Sequence, residues 1–221
     1  MAERRGKSAI GFYHQAAGTI APRYDSVSFA AVHPGLGARL PPPPAAGLDV
    51  GAGSGRDARA LSALGYHVTA AEPAEALREL GQRSSPGVEW LDDRLPDLPR
   101  LHARKRRFDF ILCSAVLMSL PEAELGPALL SMAELLVPGG LLSISVRDPR
   151  KDERLLHGHS DPALRRAGEA AGLAVTQSAE AADALGRGLL WRSYLLAKAG
   201  DRPAGRTLSS AGADSEAAPG R

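Results

Sequence analysis

The sequence predicts an α/β protein: an open, doubly wound, seven-stranded, mostly parallel sheet with an antiparallel terminal hairpin and helices on both faces. Three observations lead there. Short apolar runs alternate with helix-period segments along most of the 221 residues, the pattern that right-handed β-α-β crossovers produce. The first run opens into a turn with glycine at alternate positions, Gly51, Gly53 and Gly55. The last two runs, Leu173–Gln177 and Leu189–Ala197, have no helix-length segment obliged between them, which points to an antiparallel pair at one edge.

The elements follow in order. Residues 1–40 hold a weakly helical stretch, Phe12–Ile20, then Tyr24-Asp25-Ser26-Val27-Ser28-Phe29 and Val32-His33. The run Pro41–Pro44 fits neither helix nor central strand and separates this stretch from the rest. Ala45–Val50 is the first strand, and the helix Gly55–Leu64 stops at Gly65, a suitable residue past a helix end. Tyr66–Ala71 is the second strand, closed by Glu72-Pro73, and Ala74–Arg83 is a helix with Leu77 and Leu80 on one face. Val88–Leu91 is a short third strand before Asp92-Asp93 and a proline-marked connection. Phe108–Ala115 is almost continuously apolar, as a central parallel strand should be. Glu122–Leu136 reads as an amphipathic helix stopped by Pro138-Gly139-Gly140; Leu141–Val146 is the fifth strand and Pro162–Ala171 a further helix ending at Gly172. The organisation is thus a lid or linker over 1–44, one domain over 45–198, and a disordered Ala/Gly/Ser/Pro-rich tail over 199–221.

Composition excludes several classes. A net charge of +2 is too near balance to argue for a polyanionic partner, and Arg104-Lys105-Arg106-Arg107 reads as a solvated turn rather than an RNA patch. The single cysteine, Cys113, has no internal disulfide partner, which fits a reducing compartment. No uncharged apolar run reaches the roughly 18 residues that span a bilayer, and Arg4, Arg5 and Lys7 lack the apolar stretch of a secretion signal after them. The expectation is a cytoplasmic protein without membrane or nucleic-acid partners and without a metal.

The chemistry is carried by the first β-α turn. Strand, glycine-rich turn and helix let a nucleotide-like ligand lie against main chain, with unpaired N–H groups at the helix start. A dinucleotide fingerprint would read G-x-G-x-x-G; here the glycines alternate strictly, and Asp49 sits near the strand end. A carboxylate there repels a pyrophosphate but suits a ligand carrying an ammonium or sulfonium group. Asp49-Val50-Gly51-Ala52-Gly53-Ser54-Gly55 resembles motif I of the class I S-adenosylmethionine (SAM) dependent methyltransferases, and the similarity extends over about residues 45–198.

Glu72 ends the second strand at the acidic position that in open α/β sheets receives ribose hydroxyls, with Pro73 following; an acid at a helix start is its alternative role. Ser114 and Ala115 leave the fourth strand at the switch-point crevice. The resemblance implies SAM as cofactor and S-adenosylhomocysteine (SAH) as product; the leading reading is transfer to a small-molecule acceptor, with an RNA- or protein-directed methyltransferase, or a non-catalytic SAM-binding module, as the alternatives. Asp49, with main chain at Gly51, Ala52, Gly53 and Gly55, would hold the methionyl end, and Ser114 and Ala115 would flank the sulfonium. Asp92 or Asp93 would receive the adenine amino group, with Asp92 preferred as nearer the strand end; a turn-forming pair is the alternative. The catalytic residue stays open. Tyr24 and His33 are the candidates, beside His14 and His157; related enzymes carry a Tyr-Asp pair similar to Tyr24-Asp25, and Ser119 stands where the family often has His. The chain lacks the Asn/Asp-Pro-Pro-aromatic motif of amino-directed enzymes and the Pro-Cys motif of cytosine C5 enzymes after its fourth strand. Tyr13, Tyr24, Phe29 and His33 are expected to fold over the ligand, with Arg187, Trp191 and Arg192 closing the acceptor side; packing on the sheet edge is the alternative.

Overall fold

Strand β1 (Ala46–Val50) is buried along its whole length because it has a parallel neighbour on each side, β2 (His67–Ala71) and β4 (Phe108–Ser114). The computed structural model describes residues 8–200. Its seven strands run in the order β3-β2-β1-β4-β5-β7-β6, with β3 (Glu89–Leu91), β5 (Leu136–Val146), β6 (Leu173–Ala182) and β7 (Leu190–Lys198) completing the sheet. Only β7 is antiparallel, to β5 on one side and β6 on the other. The expected sheet and terminal hairpin are therefore present. The tail expected over 199–221 lies, from residue 201 on, outside the described residues.

Helices cover both faces. Helix α1 (Ala9–Asp25) begins at Ser8, whose hydroxyl accepts the Gly11 N–H at 3.1 Å, and is followed by the single turn α2 (Phe29–Val32). Next come α3 (Arg56–Ala63), α4 (Glu75–Ser84), the short α5 (Pro99–Ala103), α6 (Glu122–Leu135) and α7 (Asp161–Ala170). Alternation along the strands decides which residue meets which layer. Leu48, Ile111, Leu142 and Ile144 pack with Leu101 of α5, Leu129 and Met132 of α6 and Leu164 of α7. On the other face Val68, Phe110 and Leu112 pack with Ala58 and Leu61 of α3 and with Phe29 of α2. Gly47 leaves room for the Phe110 ring, since a Cβ there would lie 2.4 Å from its Cζ. Each fully buried leucine of these layers stabilises the fold by about 1.5–3 kcal/mol.

Helix α1 lies on α4, where Ala17 and Ala21 meet Ala74 and Leu77. Among the described residues the N-terminal segment packs on the domain through Ala17, Ala21 and Phe29, and Phe29 lies in the core. No helix among the described residues is long and apolar enough to cross a membrane.

Candidate functional site

A cavity of about 820 Å3 lies at the carboxyl ends of β1 and β4, where the strand order reverses and open α/β sheets bind their ligands. The glycines of the first β-α turn have φ of +70° (Gly51), +59° (Gly53) and +86° (Gly55), a conformation that side chains resist. Their surroundings differ. A Cβ on Gly51 would lie 2.3 Å from Val116 Cγ2, and one on Gly55 2.8 Å from the Trp90 ring. At Gly53, on the cavity wall, a Cβ would meet nothing within 4 Å. The turn is fastened from outside. Gly51 N and Ala52 N donate to Ala71 O at 2.7 and 3.2 Å, and Ser54 Oγ donates to Asp25 Oδ1 at 3.0 Å.

Three acids face this turn. Glu72 accepts the Gly53 N–H at 2.8 Å and the Ala74 N–H at 2.7 Å, one on each carboxylate oxygen. Burial pushes its pKa up against the pull of those two donors. Asp57, in the first turn of α3, takes the Arg56 guanidinium on both oxygens at 2.7 Å and His33 Nε2 at 3.0 Å. Burial opposes its ionisation, but Arg56 and His33 outweigh burial and hold the carboxyl down at about 2. Asp49 is 2% exposed, and its Oδ2 has no hydrogen-bond partner among the described residues. Burial first, then the Asp57 charge, push its pKa well above the ordinary carboxylate range, with Arg56 opposing. A buried carboxylate oxygen without a donor is costly unless something supplies one.

The other expected residues fall in three groups. Pro73, Asp93, Ser114, Ala115, Tyr24 and His33 line the cavity together with Asp49, Glu72, Gly51, Ala52 and Gly53. Ser114 Oγ lies 3.0 Å from Ser145 Oγ. Ala115 has φ +61°, a strained setting for a non-glycine residue, fixed by its N–H to Ser145 O at 3.0 Å. The Arg187 guanidinium faces the Tyr24 side chain.

Two expected residues lie off the cavity wall. Gly55 is not on the cavity wall; it is the residue before α3, and its missing side chain makes room for Trp90. Asp92 is also off the wall, because it turns outward to Arg78 at 3.5 Å and Arg100 at 3.7 Å. Asp93 is the buried member of the pair, and it accepts the Arg94 and Leu101 N–H groups at 3.1 and 2.8 Å.

Four further residues lie elsewhere. His14 Nδ1 accepts the Ala76 N–H at 3.3 Å, away from the cavity. Cys113 is buried, which pushes its thiol pKa up, as befits a core residue. Arg104 and Arg106 both pair with Glu89, so that basic run is partly neutralised.

The cavity wall near the terminal hairpin includes residues that sequence reasoning missed. Arg187 and Trp191 line the cavity as expected, but both are held by Asp183: Arg187 Nη2 and Trp191 Nε1 donate to Asp183 Oδ1 at 2.6 and 2.8 Å. Arg192 instead reaches Asp148 and His159 O. Arg147, just past β5, lines the cavity and is 6% exposed. Asp57 was legible in principle as an acid in the first turn of a helix, but that signal does not single out His33 as its partner.

The geometry has counterparts. A model described as a methyltransferase domain matches residues 23–178. No curated protein matches the chain significantly. Among solved structures, a TehB-like SAM-dependent methyltransferase from Corynebacterium glutamicum superposes with a TM-score of 0.65 at 20% identity, covering 83% of this chain and 98% of that one. Magnesium protoporphyrin IX methyltransferase from Synechocystis with bound SAH gives 0.62 at 15%, covering 86% and 85%. A Burkholderia thailandensis 1,6-didemethyltoxoflavin-N1-methyltransferase, with its acceptor and SAH bound, gives 0.59 at 22%, covering 84% and 88%. With the motif-I turn, the reversal of strand order and the terminal hairpin in place, the chain belongs to the methyltransferase-domain family of class I, SAM-dependent type.

Proposed function

We propose that the cavity binds SAM and that the protein transfers its methyl group to a small-molecule acceptor. The observation that carries this reading is Asp49: a buried carboxylate oxygen without a donor, beside a main-chain turn left open at Gly53. The residues fit the cofactor. An ammonium supplies the donor that Asp49 Oδ2 lacks. Each Glu72 oxygen has taken one N–H and has a second lone pair for a ribose hydroxyl. Asp93, which lines the cavity while Asp92 does not, is the acid we assign to adenine. SAM supplies an activated methyl group on a sulfonium, so the chain's own residues need only hold cofactor and acceptor in line and exclude water. The turn and Ala115 serve the first by fixing the cofactor. Helix α1 and the segment through His33 do the second, with Tyr13, Tyr24 and His33 on the cavity wall.

A small acceptor is consistent with the neighbours, whose names specify magnesium protoporphyrin IX and 1,6-didemethyltoxoflavin. The experiment is calorimetric titration with SAM and, separately, NAD. SAM should bind in the micromolar range, about −8 kcal/mol, and NAD far more weakly. Tighter binding of NAD would overturn the reading.

A further inference from the structure

Strand β5 sends Leu142, Ile144 and Val146 into the core with α6 and α7. The alternate positions, Ser143, Ser145 and, just past the strand, Arg147, line the cavity although none is more than 9% exposed. The register extends this polar line sideways. Ser145 is directly opposite Ser114 of β4 and Ser193 of β7, so three neighbouring strands contribute one row of hydroxyls. A strand buried on both faces ordinarily carries apolar residues at such positions, and hydroxyls there need partners. Ser114 and Ser145 bond each other, and Ser193 Oγ donates to Ala179 O at 3.3 Å. A hydroxyl is one donor and two acceptors, so capacity remains.

The row ends at a built wall. Both Arg147 Nη atoms donate to Glu153, at 2.6 and 2.5 Å, whereas the buried Nε has no partner among the described residues. The guanidinium carbon stands 5.9 Å from the Trp191 ring centroid. That indole is oriented by its Nε1–H to Asp183. Glu153 balances Arg147 and Asp183 balances Arg187, so the wall offers donors without an uncompensated charge.

We infer that this face of β5 and β7 is the acceptor subsite, and that it takes a small aromatic molecule bearing a hydrogen-bond-accepting oxygen, its ring against Trp191 and its oxygen toward Arg147 Nε and Ser145. The inference rests on the SAM reading and adds the chemical class of the acceptor. A hydrocarbon chain, or a ring without such an oxygen, would leave Nε unpartnered.

The test uses the full-length protein saturated with SAH and three probes observed by saturation-transfer NMR: benzamide, cyclohexanecarboxamide, which lacks the aromatic ring, and benzylamine, which lacks the oxygen. Benzamide should bind about tenfold more tightly than either control. Trp191→Leu should remove its advantage over cyclohexanecarboxamide, and Arg147→Lys its advantage over benzylamine, while both variants keep wild-type SAH affinity. Trp191→Phe, which keeps a ring, should retain most of the benzamide binding and serves if the leucine variant does not fold. Equal binding of the three probes, no binding of any, or wild-type benzamide affinity in both Trp191→Leu and Arg147→Lys would overturn the inference. Failure of SAH itself to bind would instead overturn the cofactor reading.

Discussion

Replacing Asp49 with Asn changes little in shape, but it removes the group that can ionise. In the ligand-free protein the Asp49 carboxyl holds its proton to well above the ordinary range, through burial and the neighbouring Asp57 charge. An ammonium placed on Oδ2 favours the ionised form, so binding must expel that proton. SAM affinity should therefore rise with pH across the window between the bound-state and free-state pKa of Asp49, by at most about tenfold per unit. The charge-assisted hydrogen bond is worth about 1.5–3 kcal/mol, so Asp49→Asn should weaken SAM by about tenfold to 150-fold.

Stability moves the opposite way. A carboxyl whose pKa is raised on folding favours the folded state at low pH, and that contribution is lost as pH rises through the raised value. The ligand-free Asn variant should therefore be more heat-stable than wild type above that value. Calorimetry in buffers of different ionisation enthalpy counts the protons released on binding. Wild type should release up to one, and Asp49→Asn none. Unchanged SAM affinity with proton release preserved in the variant would refute the assignment of Asp49.

Gly53→Val should keep the circular-dichroism spectrum of the fold and lose SAM binding, because the branched side chain enters the open side of the turn and resists φ +59°. Asp57→Asn should lower the free energy of urea unfolding by about 3–5 kcal/mol, since it strands Arg56 and His33 in a buried site. The Asp57 contribution should be fully present above the ordinary carboxylate pKa and fade as pH falls toward about 2. Phe29→Ala should destabilise by about 3–5 kcal/mol in the same assay; a loss under 1 kcal/mol would mean that the N-terminal segment is a detachable cover after all.

The fold was legible because the apolar runs, the glycine turn and the helix stops agree with one another. What was missed has local causes. Strand β6 continues to Ala182 through Ser178-Ala179-Glu180-Ala181, a composition that favours helix in isolation, because β7 pairs with it along its whole length. Strand β5 begins at Leu136, ahead of Pro138-Gly139-Gly140, across an irregular register with β4. That Asp49, Gly51, Gly53, Glu72, Ser114 and Ala115 would meet at one cavity could be read from position alone. Which of Asp92 and Asp93 lines the cavity could not, since it depends on which carboxylate finds Arg78 and which finds the α5 backbone. Nor could Asp183, whose role exists only once the hairpin brings Arg187 and Trp191 to it. The alternation Leu142-Ser143-Ile144-Ser145-Val146-Arg147 was in plain view, but a strand reading does not say that its polar face meets a cavity.

The most direct measurement is a crystal structure of the protein grown with SAH. The account predicts that SAH fills the cavity above β1 and β4, with its ammonium within hydrogen-bonding distance of Asp49 Oδ2, its ribose hydroxyls on Glu72, and its sulfur toward Ala115 and the serine row. SAH bound with Asp49 Oδ2 still unpartnered, or density for SAH anywhere outside this cavity, would contradict it.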